Sequence, residues 1–209
     1  MTLDLNEKQI RILQVAEKLF AEKGFDGTSI RNISKEAKIN IAMVSYYFGS
    51  KEKMLESLIY FRTTDLKMQL ENLYREAISP LEKINKLIDL YIARINKNKW
   101  IYQILHFELS SKKRTVDIKS FTDVKKRNLH SLENIILEGQ QKGVFRKDIN
   151  IALLPPTILG TFFHFQMNRP YYEELFQLKT ETDFDNYINN ELRTHIQQTI
   201  KALLIYESK

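Results

Sequence analysis

Signals that stop and start helices crowd into one short stretch of this chain, between Gly24 and Ser50. Upstream, residues 6–24 read as an amphipathic helix. Ile12, Val15, Ala16 and Leu19 recur at i, i+3, i+4 and i+7 with Phe20 beside them, while Arg11, Glu17, Lys18 and Glu22 take the other face. Gly24 stands where a left-handed residue ends a helix, and Phe25 can fold its ring back on the last turn. Thr28 offers a hydroxyl N-cap to a short helix whose apolar face is Ile30, Ile33 and Ala37. Arg31, three residues on, cannot complete a capping box. Lys38-Ile39 makes a turn, and Asn40 caps a third helix through Phe48. On that helix Ile41, Val44 and Phe48 share one face, and Ala42, Met43, Tyr46 and Tyr47 point elsewhere. Gly49-Ser50 breaks it, and Ser50 and Glu52 start a fourth helix. Three short helices with a tight turn between the second and third spell a helix-turn-helix unit.

Beyond Lys51 the punctuation thins out. Only 6 Gly and 4 Pro occur among 209 residues, a scarcity that favours few long helices over many short strands. Helices are expected over 51–77, 80–96, 99–110, 118–142, 150–177 and 183–206. Their joints are Pro80, the Asn98 region, Gly143 and Pro155-Pro156, with Pro170 kinking or ending one. The expected fold is all-α: a helix-turn-helix head over residues 1–50 and a larger helical bundle over residues 51–209. The last helix carries a stripe of Phe184, Ile188, Leu192, Ile196, Ile200, Leu203 and Leu204. It must bury against the chain's own body or against a second copy.

Several function classes fall away. Cysteine is absent, which removes disulfide scaffolds, thiolate metal sites and thiol nucleophiles and suits a reducing cytoplasm. The first residues hold no apolar signal-peptide core, and no run of eighteen apolar residues occurs, so no membrane partner is expected. His106, His130, His164 and His195 are widely spaced. The pairs Glu191/His195 and His130/Glu133 lack a third ligand, so no metal is expected. No phosphate loop, nucleophile elbow or HExxH is present; no cofactor or catalytic residue is assigned, and the chain is not expected to be an enzyme.

Charge points to a polyanion: 32 Lys+Arg against 26 Asp+Glu leave +6. In a helix-turn-helix the second helix enters the major groove. Here its outward residues are Ala42, Met43, Ser45, Tyr46 and Tyr47. Ala42 and Met43 suit a thymine methyl, and Ser45 and the tyrosine hydroxyls suit phosphate or a base edge. Arg31 is the candidate for a bidentate guanine contact, and Thr28 and Lys51, at helix starts, are candidates for phosphate.

Residues 12–55 resemble the DNA-binding head of the TetR family of transcriptional regulators. The matching text is Ile12-Leu13, Ala16, Leu19-Phe20-Ala21-Glu22-Lys23-Gly24-Phe25 and Thr28-Ser29-Ile30-Arg31-Asn32-Ile33. It continues with Val44-Ser45-Tyr46-Tyr47-Phe48, Ser50-Lys51-Glu52 and Leu55. The resemblance implies an all-helical homodimer, joined through C-terminal helices, that represses genes at a palindromic double-stranded DNA operator. It also implies release by a small-molecule ligand bound in the C-terminal domain, and DNA contacts at the positions of Thr28, Tyr46, Tyr47 and Lys51. Departures are Lys38 where the family's turn usually carries Gly, Ser34 for Ala, Ala42 for Gly, and Tyr47 for a frequent His.

The body resembles the family in layout only. Trp100, Tyr102, Phe107, Phe121, Phe163, His164 and Met167 are candidates to line its ligand pocket, with ordinary core as the competing reading. Two other classes stand beside the regulator: a helical small-molecule carrier without DNA binding, and a helical-bundle enzyme using His–carboxylate chemistry.

Overall fold

The computed structural model describes residues 5–111 and 118–205. It is helical, with no strand among the described residues. The chain divides into two compact units. One takes the residues up to Leu66 together with Lys97–Lys125, and the other takes Lys67–Asn96 with the residues from Lys126 on.

The first unit is built on α1 (Glu7–Lys23), α2 (Ile30–Ala37) and α3 (Ile41–Phe48). Asn6 caps α1 through a capping box with Gln9. Helix α2 is capped one residue later than the sequence suggested. Ser29, not Thr28, is the N-cap, and its hydroxyl accepts from the Asn32 N–H at 3.1 Å while Asn32 Oδ1 accepts from the Ser29 N–H at 3.0 Å. The capping box is therefore present, completed by an Asn in place of the usual Glu or Gln. Helix α2 ends at Lys38, which sits in the left-handed region at φ 55°, ψ 44°. The cost of a side chain there is met locally. The Lys38 N–H donates to Lys35 O, and the Ser34 hydroxyl donates to Ile39 O at 2.6 Å, closing the turn. Asn40 accepts from the Ala42 N–H at 2.8 Å to start α3, and Ser50 caps α4 (Lys51–Arg75) through the Lys53 N–H.

The head does not close its core with residues 1–50 alone. Ile12, Leu13, Leu19 and Phe20 of α1, Ile33 of α2 and Val44 and Phe48 of α3 meet Met54, Leu55, Leu58 and Ile59 of α4. Ile101, Ile104 and Leu105 of α6 (Lys99–Ser111) complete it. Glu17 of α1 is buried as well, and its carboxylate accepts from Arg62 Nε of α4 at 3.0 Å, an ion pair that keeps the charge satisfied.

The second unit holds the end of α4, α5 (Pro80–Lys97), most of α7 (Ile118–Gln141) and the C-terminal helices. The expected helix 150–177 is divided in three. A 3₁₀ turn (Ile151–Leu153) leads into α8 (Leu154–Met167), and α9 (Arg169–Leu175) follows a break at Asn168. Pro155, Pro156 and Pro170 lie in first turns, where a missing N–H costs nothing, so they start helices here and do not break them. The last helix is likewise composite: α10 (Glu181–Tyr187), a π turn (Ile188–Leu192) and α11 (Arg193–Leu204). Its stripe is buried within the chain from Phe184 to Leu204, with only Leu203 of the predicted set left exposed. The intramolecular reading of that stripe holds. Lys83, buried on α5, donates to Tyr74 O at 2.7 Å and to Glu138 Oε2 at 2.8 Å, tying α5 to α4 and α7.

One glycine is required by close approach. A methyl at Gly139 of α7 would overlap the Phe145 ring, which folds back on the helix end. Gly139→Ala is expected to lower stability by about 1–3 kcal/mol through overpacking. Phe145→Leu in the same chain should return part of that loss; urea titration of the single and double variants measures the coupling.

Candidate nucleic-acid interface

Helix α3 divides by burial along its length. Val44 and Phe48 are buried against the head core, Met43 and Tyr47 are half-buried, and Ile41, Ala42, Ser45 and Tyr46 are exposed. Tyr46 is the most open of these at 82% exposed, its ring centroid 5.7 Å from that of Tyr47. Tyr47 packs its ring edge-on to Phe48 at 6.4 Å and leans on the core, so it supports the exposed face as well as bordering it. Ile41 departs from the sequence reading. It was grouped with Val44 and Phe48 by spacing, yet it is 44% exposed. The rows 41–45 and 42–46 run together along the helix, and both lie at the surface. Arg31 is exposed on α2, the helix that precedes α3 across the turn.

Thr28 and Lys51 come together, but turned inward. Thr28 is 1% exposed, and its hydroxyl shares one proton between Leu19 O at 3.0 Å and Gly24 O at 2.9 Å. Lys51 Nζ donates to Phe25 O at 2.7 Å and Thr28 O at 2.8 Å, and stands 4.3 Å from the centre of the Phe25 ring. The roles foreseen for Thr28 as cap and phosphate contact do not fit this geometry, because the hydroxyl faces the carbonyls that end α1. Lys51 has two of its three donors committed within the head. Part of this is signalled in the chain itself: the end of α1 and the turn after it leave carbonyls that need donors, and Thr28 is a hydroxyl close to them in sequence.

The seven residues picked for a ligand pocket fall in different units. On α6, Trp100 and Phe107 are exposed, and Tyr102 packs against the head core. On α8, Met167 is exposed, Phe163 is half-buried edge-on to Phe162, and His164 is exposed with Nδ1 3.1 Å from the Tyr172 hydroxyl. The Phe121 side chain lies outside the described residues. A cleft of about 380 Å³ opens in the second unit between the Gln177–Lys179 turn and the Asp183–Glu191 stretch, and it takes none of the seven. Tyr187 lines it, its hydroxyl held above the usual tyrosine range first by burial and then by the nearby Glu191 charge. Among the described residues no helix is long and apolar enough to cross a membrane.

Residues 12–58 match the model of the bacterial regulatory proteins of the tetR family, and residues 80–200 match the tetracyclin repressor-like C-terminal domain. The HTH-type transcriptional repressor NicS of Pseudomonas putida is 30% identical over 167 residues, covering 76% of this chain and 75% of that protein. Among solved structures, the fatty acid degradation regulator FadR from Bacillus halodurans superposes with a TM-score of 0.75 at 21% identity. That match covers 95% of this chain and 97% of the other. FadR from Bacillus subtilis, solved with stearoyl-CoA, gives 0.71 at 19% identity over 92% and 97% of the two chains.

Thr28→Val keeps the side-chain volume and removes the hydroxyl from two buried carbonyls. Stability should fall by about 1–3 kcal/mol, read by urea denaturation. Ser29→Ala, which removes only an exposed cap, should cost about 1 kcal/mol.

Proposed function

The chain belongs to the TetR family of bacterial regulatory proteins; from that premise we propose that it is a DNA-binding transcriptional repressor governed by a small-molecule ligand, and that the exposed face of α3, with Arg31 beside it, reads one half of a near-palindromic operator. The observation that carries the reading is the exposed row Ala42, Ser45 and Tyr46 on a short helix whose opposite side is locked into the head core. Met43 and Tyr47 border that row. The family acts as dimers, so two heads enter successive major grooves about 34–36 Å apart, and the two-fold axis of the protein sets the symmetry of the site.

Residues 28–53 carry five basic and two acidic groups, a local excess that favours DNA without specifying it. Regulation follows from linkage. A ligand in the C-terminal domain favours the dimer state whose heads are wrongly spaced, and a coupling of about 1–3 kcal/mol weakens operator binding about 5–150-fold. The solved FadR relative holds stearoyl-CoA, which supports an organic ligand in that domain. Helix α4 runs from the head into the second unit. Its tilt is the proposed carrier of the change, and unchanged head spacing on ligand release of DNA would refute it.

Selection of bound duplexes from a random pool by the full-length protein tests the reading. An enriched inverted repeat is expected; a flat pool at low salt would overturn it. On the recovered operator, Arg31→Ala should lower affinity about tenfold or more and relax preference at one guanine per half-site. Lys51→Met should lower the melting temperature yet leave the salt dependence of binding unchanged, because its ammonium serves the α1–α2 turn. A log–log slope flattened by about 0.9 would instead make Lys51 a phosphate ligand.

A further inference from the structure

Helix α3, Ile-Ala-Met-Val-Ser-Tyr-Tyr-Phe, contains no charged residue and no Asn or Gln. Purine edges in the major groove are told apart chiefly by side chains that offer two hydrogen bonds at once: Arg or Lys to guanine, Asn or Gln to adenine. None of these stands on the exposed rows of α3, where the hydrogen-bonding groups are the single hydroxyls of Ser45 and Tyr46. The first turn of a recognition helix is the part that meets base edges. Here that turn exposes Ile41, which is 44% open to solvent, with Ala42 beside it. A large β-branched side chain left open at that place has one apolar counterpart on the floor of the groove, the C5 methyl of thymine.

We infer that Ile41 is a specificity-determining residue that seats a thymine methyl, so that each operator half-site is read through its thymines more than through hydrogen bonds to purines. The inference deepens the reading of α3 as the DNA-facing helix and rests on it. Asn40 does not offer the bidentate adenine contact, because its side-chain oxygen accepts from the Ala42 N–H at 2.8 Å. Arg31, on the other helix, remains the source of a guanine contact. The half-site that follows is a thymine under the start of α3 with a guanine under α2.

The test uses full-length protein and the operator recovered by selection, with each half-site thymine replaced in turn by deoxyuridine. That change removes the methyl and keeps every hydrogen-bonding atom. Fluorescence anisotropy should show one position at which the wild-type protein loses about fourfold in affinity per methyl, the worth of one buried carbon. In Ile41→Ser that loss should vanish at the same position with the salt dependence unchanged, while the melting temperature falls by only about 2–4 °C, since the side chain is only partly buried. Thymines that are all inert to the exchange would overturn the inference while leaving the operator reading intact. An exchange effect equal in wild type and Ile41→Ser would also overturn it, by assigning the methyl to another residue. A selected half-site without thymine under α3 would do the same, and a flat selection would remove both readings together.

Discussion

The head depends on how the carbonyls at the end of α1 and along the turn into α2 are satisfied. Helix α1 stops at Lys23, and the chain reverses through Gly24 at φ 73° and Phe25 before α2 begins. That reversal leaves Leu19, Gly24, Phe25 and Thr28 carbonyls pointing at the seam between α1 and α4. Thr28 answers the first two and Lys51 the last two, from opposite sides of the seam. Because Lys51 is the first residue of α4, the same ammonium that closes the turn also fixes where the long helix starts. The Phe25 ring lies 5.0 Å from Phe20 and 4.3 Å from the ammonium, so the charge rests over an aromatic ring of the core as well as on the two carbonyls. Remove this arrangement and α2 and α3 lose the platform against which they are aligned.

This lock changes how the basic residues of the head divide their work. Lys51 lies at a helix N-terminus, where a phosphate contact is the natural first reading, yet its partners are protein carbonyls. Arg31, Lys35 and Lys38 stand exposed around the turn. Helix α3 carries no charge of its own. The head therefore presents two surfaces of different chemistry, one cationic and one apolar-aromatic, separated by the turn that Lys38 and Ser34 close.

The stripe along α10, the π turn and α11 is absorbed within the chain, and α8 packs against α11. Aromatic rings extend this packing: Phe165 stacks with Tyr172, Phe184 and Tyr187, and Arg169 lies 4.3 Å over Phe184 while pairing with Glu173. That stripe is therefore not an open surface on the single chain. The π turn lets one continuous helical path keep Phe184, Ile188, Leu192 and Ile196 on the same side despite their strict spacing of four, which a regular helix would slowly rotate away.

Local signals were legible in the residues alone. Helix periodicity, the Gly24, Asn40 and Ser50 boundaries, the short-short-short rhythm of the head and the all-helical class follow from propensity, capping and face, which act within a few positions. What lay beyond that range needed the tertiary structure. Ser29 displaced Thr28 as cap because Thr28 was required across the seam. Ile41 left the core because a row on a helix surface, not a spacing rule, decides exposure at its first turn. The prolines of α8 and α9 began helices because a break upstream put them at N-termini. The pocket candidates are divided between α6, which packs with the head, and α8 in the second unit. Sequence determined which elements form and which sides are apolar, since those are properties of neighbouring residues. Only the folded chain decided which donor meets which carbonyl and which apolar side chain is left open, since both depend on residues brought together from far apart.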